Sequence, residues 1–174
     1  MATKTRRFQA IGTQKKHEVF EILQQDHATV KDLLMRLEKA SEQESEQLLE
    51  QIERELTNHT EIEQELIYPA FKDSAQNDKD RKMYYESLEQ HATVETVLLK
   101  LRAAESPDAF FARAKVLRDL VEHHIDEEEG ALFPRARKLI PFERLDEVAQ
   151  KIKEMRSHAE AAAADVEMGG EESA

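Results

Sequence analysis

Apolar residues recur at steps of three and four along most of the chain, the spacing that lines one face of an α-helix. The first stripe is Phe20, Leu23, Val30, Leu34 and Leu37, and it predicts a helix from about Glu18 to Lys39. The polar run ASEQESE separates it from a second, about Glu46 to Lys72, with Leu48, Ile52, Leu56 and Leu66 on its stripe. After DSAQNDKD, a third runs from roughly Lys79 to Ala104. Ser106 and Pro107 suit the N-cap and first turn of a fourth helix. It continues towards Leu139, loosened at Gly130 and Pro134. Pro141 opens a fifth, to about Ala164, with Val148, Ile152 and Met155 facing inwards. No stretch alternates like a strand. The expected fold is all-α, an antiparallel up-down-up-down four-helix bundle with an additional C-terminal helix.

The chain also repeats itself. DHATVKDLLMRL, from Asp26, matches QHATVETVLLKL, from Gln90; HTEIEQELIYP, from His59, matches HIDEEEGALFP, from His124. His27 and His91 are 64 residues apart, and His59 and His124 are 65 apart. In the second pair of segments Glu stands four residues after the histidine, and Pro ten after it. The bundle is thus expected to be two copies of one helical hairpin.

Each marked histidine interrupts an apolar stripe. Helix one runs Leu23, His27, Val30; helix two, Leu56, His59, Glu63, Leu66; helix three, Leu88, His91, Val94, Glu95, Leu98; helix four, Leu120, His124, Glu128, Ala131. Four imidazoles and at least two carboxylates are aimed at the bundle interior. A lone histidine on such a stripe is usually a satisfied core residue, and a lone His–Glu pair four apart is usually a surface pair. All four helices sending histidine to one layer, in duplicate, calls for something that offsets the cost of burying charge, and cations do so. His123 competes with His124, because Glu127 stands four after it. The duplicated Pro134 and the apolar stripe both select His124, leaving His123, His17 and His158 to face solvent or support the ligands.

Composition narrows the partners. Zero cysteine excludes a disulfide framework, a thiolate metal site and a cysteine nucleophile. The donors are all nitrogen and oxygen, which suits iron, manganese or zinc. A formal net charge of −12 makes nucleic acid an unexpected partner of the folded body. No apolar run reaches the length of a membrane span, and no secretory signal is visible, so a soluble, cytoplasmic protein is expected. The division expected is a basic flexible arm at 1–16, the bundle at 17–140, the extra helix at 141–164 and an acidic disordered tail at 165–174.

These duplicated segments resemble the hemerythrin-like, or HHE cation-binding, family over roughly Val19 to Leu139. The resemblance implies a four-helix bundle holding two iron ions as a non-haem centre, oxo- or hydroxo-bridged. His27 and His59 would bind one ion, His91 and His124 the other, with Glu63 and Glu128 as bridges. Oxygen-carrying members have a further histidine where this chain has Glu95. Two places are open for Glu95, inside the shell as an oxygen donor or outside it, and the first is expected. Its counterpart in the first repeat is Lys31, so the His27/His59 iron would keep an open position, and a Glu95 carboxylate in place of an imidazole would lower the reduction potential of the centre.

The function implied is binding of, or reaction with, oxygen, hydrogen peroxide or nitric oxide. A catalase-like enzyme and an iron- or oxygen-sensing or storage module are the alternatives, with a purely structural metal behind them. Sensors of the family carry effector modules, and its repair members carry a cysteine-bearing N-terminal segment. Neither is seen here, which shifts the expectation towards small-molecule binding or peroxide chemistry.

Overall fold

A computed structural model describes residues 18–169, with side chains as far as Ser157. The basic arm at 1–16, His17, the side chain of His158 and the tail at 170–174 lie outside the described residues. The chain is all-helical, with no strand among the described residues. In order come α1 (Glu18–Leu37), α2 (Glu42–Ile62), a π-helical turn π1 (Glu63–Ile67), α3 (Tyr68–Asp73), α4 (Asp78–Arg102), α5 (Pro107–Glu127), a second π-helical turn π2 (Glu128–Leu132), α6 (Phe133–Leu139) and α7 (Phe142–Gly169). Each π turn joins its flanking α-helices into one continuous rod. None of these helices is long and apolar enough to cross a membrane.

Local chemistry sets the helix ends. The Glu44 carboxylate accepts from the Ser41 amide at 3.1 Å and from its hydroxyl at 2.7 Å. That reciprocal cap starts α2 at Glu42, inside the run read from sequence as a linker. Asn77 accepts from the Asp80 amide at 3.0 Å and Ser106 from the Ala109 amide at 3.3 Å, capping α4 and α5. At the other end α7 runs past the expected Ala164 to Gly169, since its alanine-rich stretch favours helix.

Helix α1 packs on α2, α5 and α7, α4 packs on α5, and α2 and α3 lean on α4. Two apolar clusters result. One gathers Phe20, Leu23, Tyr68, Phe71 and Phe133 with Leu145, Val148 and Ile152 of α7. The other gathers Val30, Leu34, Ile52, Leu56, Leu101, Leu117 and Val121. Between them lies a polar layer of buried histidine and glutamate.

A partly buried ion pair ties the start of α4 to α6. Arg135 donates from Nε to Asp80 Oδ1 at 2.8 Å and from Nη2 to Oδ2 at 2.9 Å, and the Gln76 amide also donates to Oδ2 at 2.9 Å. The Arg135 guanidinium holds the Asp80 carboxyl down to about 2, below its ordinary 3.8. A depressed carboxylate stabilises the fold above its unfolded pKa, and that stability disappears as pH falls from about 4 to about 2. We expect Asp80→Ala to cost roughly 2 kcal/mol at neutral pH. In a pH series of denaturation midpoints the variant and parent should converge below about pH 2. A constant offset down to that pH would assign the loss to packing instead.

Candidate metal centre

The polar layer is built one residue per helix. His27 comes from α1, His59 from α2, His91 from α4 and His124 from α5; Glu63 and Glu128 are the first residues of the two π turns. All six are buried, Glu63 wholly. Of the seven site residues expected from sequence, the fold brings these six together.

The imidazoles meet in pairs. His27 Nε2 stands 3.1 Å from His59 Nε2, and His91 Nε2 stands 3.0 Å from His124 Nε2. Two nitrogens each about 2.1 Å from one ion, at a right angle, would be about 3.0 Å apart, so each pair has the span of two neighbouring ligands on a single cation. The carboxylates lie between the pairs. Glu63 Oε2 is 3.2 Å from His59 Nε2 and 3.3 Å from His91 Nε2. Glu128 Oε2 is 3.3 Å from His27 Nε2 and 3.5 Å from His124 Nε2. Two groups of donors able to hold a cation therefore share Glu63: His27, His59, Glu63 and Glu128, and Glu63, His91 and His124.

The repeated proline explains itself here. Pro69 and Pro134 fall at the start of α3 and α6, directly after the π turns. Proline offers no N–H and its ring crowds the carbonyl four residues back, so it does not fit a regular helix interior. The wider π turn accommodates it, and such turns recur at functional sites. The turn also rotates the residues beyond it. Residues five apart in an α-helix point about 140° apart, yet Tyr68 returns to the face of Glu63, its hydroxyl 3.2 Å from Glu63 Oε2. That hydroxyl donates to Glu128 Oε1 at 2.8 Å and lies 3.1 Å from His91 Nε2. The second repeat has Phe133 in this place, stacked on His27 with ring centroids 5.7 Å apart.

Electrostatics shows what the layer lacks. Burial and the neighbouring Glu63 push Glu128 well above the carboxylate range, while His59 holds Glu63 well below it against burial. Burial would depress His59, but Glu63 and Asp26 carry it up to about 10; burial and the other imidazoles hold His124 down to about 3. Glu63 Oε1 and Glu128 Oε2 are buried with no hydrogen-bond partner. Buried oxygens in that condition call for an ion or a donor, and nitrogen and carboxylate donors in this arrangement fit a metal.

The hemerythrin HHE cation-binding domain model matches residues 18–136. This chain belongs to that family. It is also 27 % identical over 138 residues to a protein described as a DNA nickase from Nostoc sp. (strain PCC 7120), a match covering 79 % of this chain and 38 % of that protein. The chain thus spans well under half the length of that relative. No solved structure is a significant match.

Within this HHE domain, Glu95 does not join the donors. It is exposed on α4, because the buried line there advances His91, Val94, Leu101 and the carboxylate falls beside it. Glu95 is thus the one expected ligand that the fold does not bring to the buried layer. Its counterpart Lys31 faces Asp126 at 3.5 Å. His123 is exposed, 3.6 Å from Glu127, as the duplication implied.

Sequence reasoning missed Tyr68 and the residues behind the imidazoles: Asp26, Gln64, Gln90 and Glu129. Their signal was present, since Asp26 and Gln90 precede the repeated histidines, and Gln64 and Glu129 follow the repeated glutamates.

We expect Glu95→Gln to leave the metal content of purified protein unchanged, whereas Glu63→Gln removes most of it. Loss of metal from Glu95→Gln alone would restore that residue to the shell.

Proposed function

We propose that the layer holds two iron ions and that the pair binds or reacts with a small oxidant: oxygen, hydrogen peroxide or nitric oxide. His27 and His59 hold one ion, His91 and His124 the other, and Glu63 and Glu128 are shared. The observation that carries this reading is the placing of two buried carboxylates, each between imidazoles of both repeats and each with an oxygen lacking any hydrogen bond. The choice of iron rests on family membership. An antiparallel four-helix bundle of two duplicated hairpins is the architecture that goes with this reading.

Iron in this layer supplies electron exchange with the small molecule. The protein supplies the rest. Tyr68 keeps a hydroxyl proton beside Glu128 and beside the His91/His124 pair. Val30, Leu56, Val94, Val121 and Ile125 wall a cavity of about 20 Å³ against the four imidazoles. A water needs about 10–15 Å³ on this measure, so the space is about that of one small molecule.

A catalase-like enzyme is the alternative, and an iron- or oxygen-sensing or storage module a further one. Strand cleavage, suggested by the name of the Nostoc relative, is less well supported. The donors are buried, the cavity beside them is small, and a net charge of −12 repels a phosphate backbone.

The test is to load the protein with ferrous iron without oxygen, count ions per chain, and follow the visible spectrum as oxygen is admitted and withdrawn. We expect about two ions per chain. A spectrum that changes and recovers would identify a carrier or sensor; a permanent change accompanied by consumption of added peroxide would identify the catalase-like enzyme. Fewer than one ion per chain, or a spectrum indifferent to oxygen, peroxide and nitric oxide, would sink the proposal.

A further inference from the structure

The four imidazoles are alike in how they face inwards and unlike in what holds them from behind. Every Nε2 points into the layer, and every Nδ1 meets a side chain outside it. For the first pair those side chains are carboxylates: His27 Nδ1 is 2.8 Å from Glu129 Oε1, and His59 Nδ1 is 3.4 Å from Asp26 Oδ2. For the second pair they are carboxamides: His124 Nδ1 is 2.8 Å from Gln90 Oε1, and His91 Nδ1 is 3.1 Å from Gln64 Nε2.

The duplication makes this a controlled comparison. Asp26 and Gln90 occupy equivalent positions, one residue before His27 and His91; Gln64 and Glu129 do so one residue after Glu63 and Glu128. In both repeats the residue before the first histidine backs the second histidine of its own repeat. In both, the residue after the glutamate crosses to the first histidine of the other repeat. The geometry is preserved and only the charge differs.

That difference matters to a bound cation. An imidazole bound through Nε2 keeps its proton on Nδ1, which donates to whatever lies behind. A carboxylate accepting that proton makes the ring a better ligand, and such supporting groups are worth about 10–100-fold in metal affinity. A neutral amide oxygen accepts more weakly. Gln64 presents its nitrogen to His91, and a half-turn of the amide brings the oxygen there instead. Arg156 of α7 lies 2.5 Å from Asp26 Oδ2 and offsets part of its charge. Gln24 donates weakly to the other oxygen of Glu129 at 3.4 Å. Glu129 therefore contributes the larger share.

Resting on the two-cation reading above, we propose that the His27/His59 position binds its cation more tightly than the His91/His124 position, with Asp26 and Glu129 as the positioning residues responsible. The two halves of the centre are then unequal, although their six inner donors are nearly symmetric. A harder, higher-valent ion is favoured at the first position for the same reason.

The probe is cobalt(II), titrated without oxygen into the metal-free 174-residue chain. Native mass spectrometry counts the ions and visible absorption gives each affinity. We expect two steps at least tenfold apart. His59→Ala should abolish the tighter step and His124→Ala the weaker. Asp26→Asn with Glu129→Gln should weaken the first step by about 10–100-fold. The converse pair, Gln90→Asp with Gln64→Glu, should strengthen the second step while leaving helix content unchanged by circular dichroism, an effect that misfolding does not produce. Two ions of equal affinity, or a tighter step that survives His59→Ala or is indifferent to both exchanges, would overturn the inference while leaving the two-cation reading intact. A parent chain that takes up fewer than two ions would overturn that reading and the inference with it.

Discussion

The structure depends on one constraint, the burial of two carboxylates and four imidazoles in a single layer between apolar clusters. Each carboxylate taken out of water costs several kcal/mol unless it is paired and hydrogen-bonded. Here two lie close enough for Glu63 to raise the pKa of Glu128, and the Tyr68 hydroxyl is the donor set between them. Replacing this layer with leucine would make an ordinary helical core. Its retention sets where the helices approach one another, because every side of the layer must supply a donor.

The π turns are the backbone's share of that arrangement. A regular helix passing through Glu63 would carry Tyr68 away from the layer and set Pro69 against a carbonyl. Widening one turn admits the proline and returns the tyrosine. The same solution at Glu128 delivers Phe133 instead, which lies flat on His27. One backbone device, used twice, places a hydroxyl over one half of the centre and a ring over the other.

Helix α7 joins the site to the rest of the chain. Its Leu145, Val148 and Ile152 close the apolar cluster beneath the donors, and its Arg156 reaches Asp26 behind His59. Packing of this helix and orientation of an imidazole are thereby linked through two hydrogen bonds.

The sequence by itself determined the all-helical class, the duplication and the six histidine and glutamate side chains that meet in the buried layer. Those follow from periodicity and from identical residues at identical spacing, which are local properties of a helix. Glu95, four residues after His91 and read from that spacing as facing inwards, is exposed. Which side of a helix is buried is decided by its neighbours, and α4 presents Val94 and Leu101 to them. The start of α2 was misplaced because a reciprocal cap outweighs the polar look of its first turn. Tyr68's place at the layer was decided by tertiary structure alone; the carboxylates behind the first histidine pair stand at repeated positions in the sequence, but which imidazole each one meets was decided by the fold. The first requires the register change of a π turn, and Glu129 meets His27 only because α1 packs on α5, bringing together residues far apart in the chain.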